Sequence, residues 1–265
     1  MGTVADRLWL WCHQAGSHNY IKQIGAESHI TPTDALHYMG LSNAIMVTFG
    51  GLPEPPLLPH AQSLAGAGKL VWSIVGDSSS KRNDYSSDLE EVVNLASNCP
   101  NLQGAIMDDF FHAPDASGAV SRYSVPQLEY FADHLHSAIR PLDLWVVLYD
   151  HDLGLPVAPL LAPCDVVTFW TWTADALPQI AANLPRARAL VPGKRIVLGC
   201  YMWDYGRGQA MPIASMAEQC RQGLAWLKTG EIDGMIFLAS CICDLNLETV
   251  EWTRRWIAEV GGQAL

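Results

Sequence analysis

Apolar positions along the chain gather into eight short, nearly continuous runs. They cover residues 7–13, 43–49, 69–76, 102–110, 143–150, 165–172, 195–203 and 233–240. Continuous apolar runs, rather than strict alternation, are what strands buried on both faces require. Turn residues follow each run, and most are then followed by a stretch with helical spacing. Strand and helix alternating eight times predict parallel strands joined by crossovers. The fold class this implies is α/β, a single (β/α)8 TIM barrel over residues 1–265. The length of 265 residues agrees with the ~250 of a bare barrel. No Gly-x-Gly-x-x-Gly follows the first run and no Walker loop is present, which argues against an open nucleotide-binding sheet.

The helices carry their own start and stop signals. Thr31 before Pro32 reads as an N-cap with a first-turn proline. Ser87 and Glu90 read as a capping box. Ser124 and Pro126 open a helix through residues 128–138. Residues 213–228 have helical spacing and stop at Gly230. Residues 247–260 form a closing amphipathic helix. The crossovers near residues 53–59 and 153–163 are rich in proline, so their helices should be short or irregular.

Composition narrows the partners. Hydrophobic residues make up 49%, charged residues 16%, and the net charge is −11. An acidic surface repels phosphate backbones, so no nucleic-acid partner is expected. There is no basic run and no apolar stretch of ~20 residues, so no membrane partner is expected. Seven cysteines are an odd number for a disulfide framework, and their spacing matches no zinc motif. Cys12, Cys200, Cys241 and Cys243 lie in apolar runs and read as small buried hydrophobes, which favours a reducing compartment. No signal peptide is visible. The expectation is a cytoplasmic protein, or a secreted or periplasmic one if a leader has been removed.

In a barrel of this kind the active site lies at the C-terminal ends of the strands. The run ends carry His13, Asp77, Asp108–Asp109, Tyr149–Asp150–His151–Asp152, Trp170–Thr171–Trp172 and Tyr201–Met202–Trp203–Asp204–Tyr205. Carboxylates and aromatics gather there, while Lys and Arg are scarce. That suits a small neutral ligand or oligosaccharide: hydroxyls meet carboxylates, and an apolar C–H face meets an indole. A phosphorylated ligand would call for Arg, Lys or a glycine nest.

Asp108 and Asp109 are the sharpest signal, because two charges follow the apolar Gly104–Met107 abruptly. Alternation along a strand should send one over the barrel mouth and the other toward a neighbouring loop. Neighbouring carboxyls raise one pKa and leave the other group ionised, which separates an acid from a charge stabiliser. They are the candidate catalytic residues. The candidate substrate-binding residues are His13, Tyr149, Asp150, Trp170, Trp172, Trp203 and Asp204. A two-carboxylate glycosidase would instead pair Asp108 or Asp109 with Asp150 or Asp204, ~5–9.5 Å apart. A metal-dependent hydrolase or lyase is a further alternative, drawing on His13, His112 and His151 with Asp108, Asp109 and Asp150. A non-catalytic sugar-binding barrel is the third. No metal motif such as His-Glu-x-x-His is present, and no cofactor is expected.

The apolar residues followed by Asp108–Asp109 resemble the catalytic strand of the O-GlcNAcase and bacterial-hyaluronidase-like β-N-acetylglucosaminidases. Phe169–Trp170–Thr171 and Met202–Trp203–Asp204 resemble that family's Trp–Thr and Trp–Asp–Asn segments. The resemblance implies substrate-assisted hydrolysis of 2-acetamido sugars. Asp108 would polarise the acetamido group, Asp109 would act as acid and base, and Asp204 would bind sugar hydroxyls. The family's first-strand Glu-Gly-Phe-Tyr-Gly is replaced here by Trp11–Cys12–His13–Gln14, and the Asn after Trp–Asp by Tyr205. Oligomeric state cannot be read from the helix pattern.

Overall fold

A computed structural model describes residues 2–84 and 88–265. Eight parallel strands close into a barrel. They are β1 (Leu8–Cys12), β2 (Asn43–Met46), β3 (Lys69–Val75), β4 (Leu102–Met107), β5 (Asp143–Tyr149), β6 (Val166–Trp170), β7 (Arg195–Tyr201) and β8 (Gly234–Leu238). Each strand pairs with its sequence neighbours, and β1 pairs with β8 to close the ring. The predicted runs coincide with these strands, but their C-terminal ends extend one to three residues too far. Burial continues past the barrel strands: Phe110, Met202 and Trp203 stay inside beyond the last residues of β4 and β7.

The helices are α1 (Pro32–Met39), α2 (Leu58–Ser63), α3 (Leu89–Leu95), α4 (Val125–His136), α5 (Ala158–Leu161), α6 (Ile180–Leu190), α7 (Ile213–Thr229) and α8 (Glu248–Val260). Their ends obey local chemistry. The Thr31 hydroxyl accepts the Asp34 amide at 3.1 Å, and Ser124 and Gln127 form a capping box. Gly230 ends α7 at φ 75°, a conformation that glycine adopts without strain. The proline-rich crossovers yield only α2 and α5, the two shortest helices. The expected capping box at Ser87 lies outside the described residues. All seven cysteines are free and buried. No helix among the described residues is long and apolar enough to cross a membrane.

The barrel axis is filled by indoles. Trp9 of β1 meets Trp145 of β5 edge-on at 5.3 Å between ring centroids, and one layer higher Trp11 meets Trp170 of β6 at 5.2 Å. Rings this large fit because facing positions lack side chains. A Cβ at Gly104 would lie 2.7 Å from the Trp145 indole nitrogen, and one at Gly199 would fall inside the Trp170 ring. The Trp170 indole donates to Thr168 Oγ1 at 2.9 Å, so this buried polar group is satisfied.

Gly199→Ala therefore forces Trp170 out of place. It should cost about 3 kcal/mol or more in chemical denaturation. Adding Trp170→Ala should return part of that loss. If Gly199→Ala alone matches wild-type stability, Gly199 and the Trp170 ring do not approach this closely.

Candidate active site

At the C-terminal mouth of the barrel lies a cleft of about 720 Å³. Trp11 and Trp170, the upper indole layer, line its base, so axial packing sets its depth. Seven of the nine expected site residues line it: His13, Asp108, Asp109, Tyr149, Trp170, Trp172 and Trp203. Among the described residues no Lys or Arg does.

The aspartate pair departs from simple alternation. Asp108 continues the ladder, donating its amide to the Val75 carbonyl. Asp109 then takes φ 40°, a left-handed conformation that Asp tolerates better than most residues. Both residues line the cleft, and Asp109 also leans onto the loop after β3. Asp108 is buried, and its Oδ1 accepts the Asp109 amide at 2.9 Å. Burial, then the neighbouring Asp109 charge, raises the Asp108 carboxyl well above the usual carboxylate range. Asp109 is half-buried and bridges two strands' loops. Its Oδ1 accepts the Tyr149 hydroxyl at 2.8 Å and its Oδ2 accepts the Ser78 amide at 3.0 Å. Asp77 stands nearby, accepting the Gly50 amide at 2.8 Å and bonds from Ser79.

Two expected ligand-binding residues serve the scaffold instead. Asp204 is fully buried; its oxygens accept the Ala174 amide at 3.1 Å and the Arg207 amide at 3.0 Å. It thereby ties the β6 loop to a two-stranded ribbon, Trp203–Asp204 with Gln209–Ala210. Asp150 accepts the Trp172 amide at 3.2 Å and lies beside His151 at 3.6 Å. Neither lines the cleft, because one further step along each loop turns the side chain toward backbone amides. Asp150 therefore supports Trp172 from behind.

Across the mouth from the aspartates sits a cluster that sequence reasoning only partly reached. His13 is buried. Its Nε2 lies 3.0 Å from the Trp11 indole nitrogen and its Nδ1 lies 3.1 Å from His18 Nε2. His18 Nδ1 in turn lies 2.9 Å from the Tyr205 hydroxyl. His18, Tyr20 and Phe49 complete this wall, with Tyr20 stacked on Phe49 at 5.9 Å. His18 and Tyr20 come from the loop after β1, which has no periodicity to reveal them. Their only signal is two histidines and a tyrosine close together after the first strand. Burial holds His13 well below its ordinary pKa, with the adjacent His18 adding to this, and lowers His18 from 6.5 to about 4.

His112 is exposed and bonds the Ala113 carbonyl, while His151 stacks on Tyr149. Among the described residues, the group compact enough to hold an ion is His13, His18 and Cys241. Binding through His13 Nδ1 would put a proton on Nε2, facing an indole that can only donate. The donor set therefore fits a hydrogen-bonded chain better than a metal.

The same (β/α)8 barrel fold occurs in several solved glycoside hydrolases. The active domain 2 of a thermostable chitinase from Pyrococcus furiosus superposes with a TM-score of 0.62 at 10% identity, over 100% of this chain and 98% of that one. The glycoside hydrolase domain of PgaB (BpsB) from Bordetella bronchiseptica gives 0.53 at 10% identity, over 98% and 99%. An FMN-binding β-glucuronidase from Facaelibacterium prausnitzii L2-6 gives 0.53 at 12%, over 88% of this chain but only 37% of that one, so the chain spans little more than a third of it. At such identity the likeness is one of fold. No family model and no curated protein matches the chain.

The depressed histidines have a signed consequence for stability. Between pH 6.5 and 4 the unfolded chain binds a proton at His18 that the folded protein refuses, so acidification removes stability, by roughly 3 kcal/mol at pH 4. Asp108, whose pKa is raised, acts in the opposite sense and is common to wild type and variant. Denaturation of His18→Gln across this range should show a loss smaller by about that amount. Parallel curves for the two proteins would contradict it.

Proposed function

We propose that this chain is a glycoside hydrolase that uses Asp108 and Asp109 as its catalytic pair. The observation that carries the reading is the unlike setting of two adjacent carboxyls in one aromatic cleft: Asp108 is buried, and Asp109 is half-buried and held by Tyr149 and Ser78. The absence of lining cations among the described residues favours an uncharged sugar over a phosphorylated one. Trp172 and the Tyr20–Phe49 pair offer apolar faces on the cleft walls for sugar C–H groups.

The division of labour follows from burial. Asp108, disfavoured as an anion by burial, holds its proton to higher pH than an ordinary carboxyl and is suited to protonate a departing glycosidic oxygen. Asp109, with a hydrogen bond on each oxygen, is suited to orient the substrate or stabilise developing positive charge. On a 2-acetamido sugar its carboxylate would hold the acetamido N–H while the acetamido oxygen attacks the anomeric carbon. This reverses the roles implied by the O-GlcNAcase resemblance but keeps the substrate-assisted route.

Chromogenic glycosides with and without a 2-acetamido group should separate these elements. Asp108→Asn and Asp109→Asn should each lower kcat by about 10²- to 10⁴-fold. Wild-type activity should fall as pH rises through the elevated Asp108 pKa. Turnover confined to 2-acetamido sugars supports the substrate-assisted route, whereas turnover of other sugars keeps the hydrolase and removes the acetamido step. A folded protein that turns over no glycoside overturns the proposal, and if it also binds sugar equally well as Asp109→Asn it is a binding barrel.

A further inference from the structure

The chain Trp11–His13–His18–Tyr205 has a direction that its chemistry fixes. An indole N–H donates and cannot accept. Trp11 Nε1 lies 3.0 Å from His13 Nε2, so that nitrogen must be the acceptor. The His13 proton then resides on Nδ1, from which it is donated to His18 Nε2 at 3.1 Å. His18 Nε2 being an acceptor, its own proton is on Nδ1 and is donated to the Tyr205 oxygen at 2.9 Å. The Tyr205 oxygen is thus used as an acceptor, and its own proton has no need of His18.

That hydroxyl sits at the cleft. Tyr205 lines the same cavity as the aspartate pair and is half-buried. Its place is held from two sides. Asp204 clamps the turn through the Arg207 amide, and Gly206 packs so tightly on the β6 loop that a Cβ there would lie 2.8 Å from the Trp172 ring. In strand order β8 and β1, which carry the histidine side of the mouth, lie across the barrel from β4 and its aspartates.

We infer that Tyr205 is a ligand-positioning hydrogen-bond donor, aimed at an acceptor oxygen of the bound sugar, and that Trp11 sets its direction through His13 and His18. The sugar part rests on the function proposed above. The direction of the chain does not. Tyr205 selects ligands bearing a hydroxyl, ring or carbonyl oxygen at that wall, and disfavours those presenting an N–H there.

Two measurements test it. Long-range proton–nitrogen NMR on labelled protein, with His13→Asn and His18→Asn for assignment, should find both rings neutral with the proton on Nδ1. Trp11→Phe should release that constraint and allow the Nε2–H form of His13. A His13 or His18 proton on Nε2 in wild type overturns the inference. The second measurement is titration with chitotriose, followed by tryptophan fluorescence. Tyr205→Phe should weaken binding by about 3- to 10-fold, the size of one neutral hydrogen bond. Trp11→Phe should weaken it too, and the double variant should be no weaker than the product of the two effects divided by the shared Tyr205 contribution. Strictly multiplicative losses overturn the coupling, and unchanged binding in Tyr205→Phe overturns the role of Tyr205 alone. No saturable binding by wild type overturns the sugar reading and this assignment together, while the tautomers still report on the chain.

Discussion

The packing of Trp11 against Trp170 across the barrel axis is the constraint on which the site depends. Two indoles meeting edge-on at 5.2 Å fill the upper barrel and form the base of the cleft. This is possible because β7 presents Gly199 where any side chain would collide with Trp170. Residues beyond this layer cannot sink into the barrel, so the strand ends must display their side chains above it. The same Trp11 ring also directs its N–H at His13. One buried side chain thereby sets both the depth of the cleft and the hydrogen-bonding sense of one wall.

Burial then divides the polar groups into two opposing kinds. On the β3–β4 side, carboxyls crowd together and the deeper one, Asp108, is disfavoured as an anion. On the β1–β8 side, two histidines are held neutral by burial and by an indole that can only donate. Neither side carries a lining lysine or arginine among the described residues. A strongly charged ligand would have to lose its hydration here without a compensating counter-charge, which is costly. A polyhydroxylated neutral ligand, able to donate toward one wall and accept from the other, loses far less.

Much of the fold was legible because its determinants are local. Continuous apolar runs mark doubly buried strands, Thr31 and Ser124 cap their own helices, and Gly230 ends α7. Strand ends were less legible, since Phe110 and Trp203 stay buried beyond the ends of the barrel strands. Placement at the mouth was legible where a residue directly continues a strand, as for His13, Asp108 and Trp170. It failed for Asp204 and Asp150, whose oxygens are taken by backbone amides of a neighbouring loop. A carboxylate at a rim looks the same in sequence whether it faces a ligand or staples two loops. His18 and Tyr20 were missed for a related reason: their position depends on how an aperiodic loop folds back over the mouth.

Asp204 and Asp150 lie directly behind residues that line the cleft. Asp204 holds the turn that carries Tyr205, and Asp150 holds the backbone of Trp172. Both residues therefore act on the cleft through the side chains they position. The Trp203–Asp204 segment thus reaches the rim through Trp203, which lines the cleft, while Asp204 bonds backbone amides. A carboxylate buried with both oxygens bonded to amides is a rigid anchor, since releasing either bond would leave a polar group unsatisfied in the interior. Such anchors let a short ribbon place a tyrosine hydroxyl as firmly as a strand would. In this barrel the polar wall opposite the aspartates is built that way, from a loop histidine and a ribbon tyrosine locked onto strand-borne Trp11 and His13.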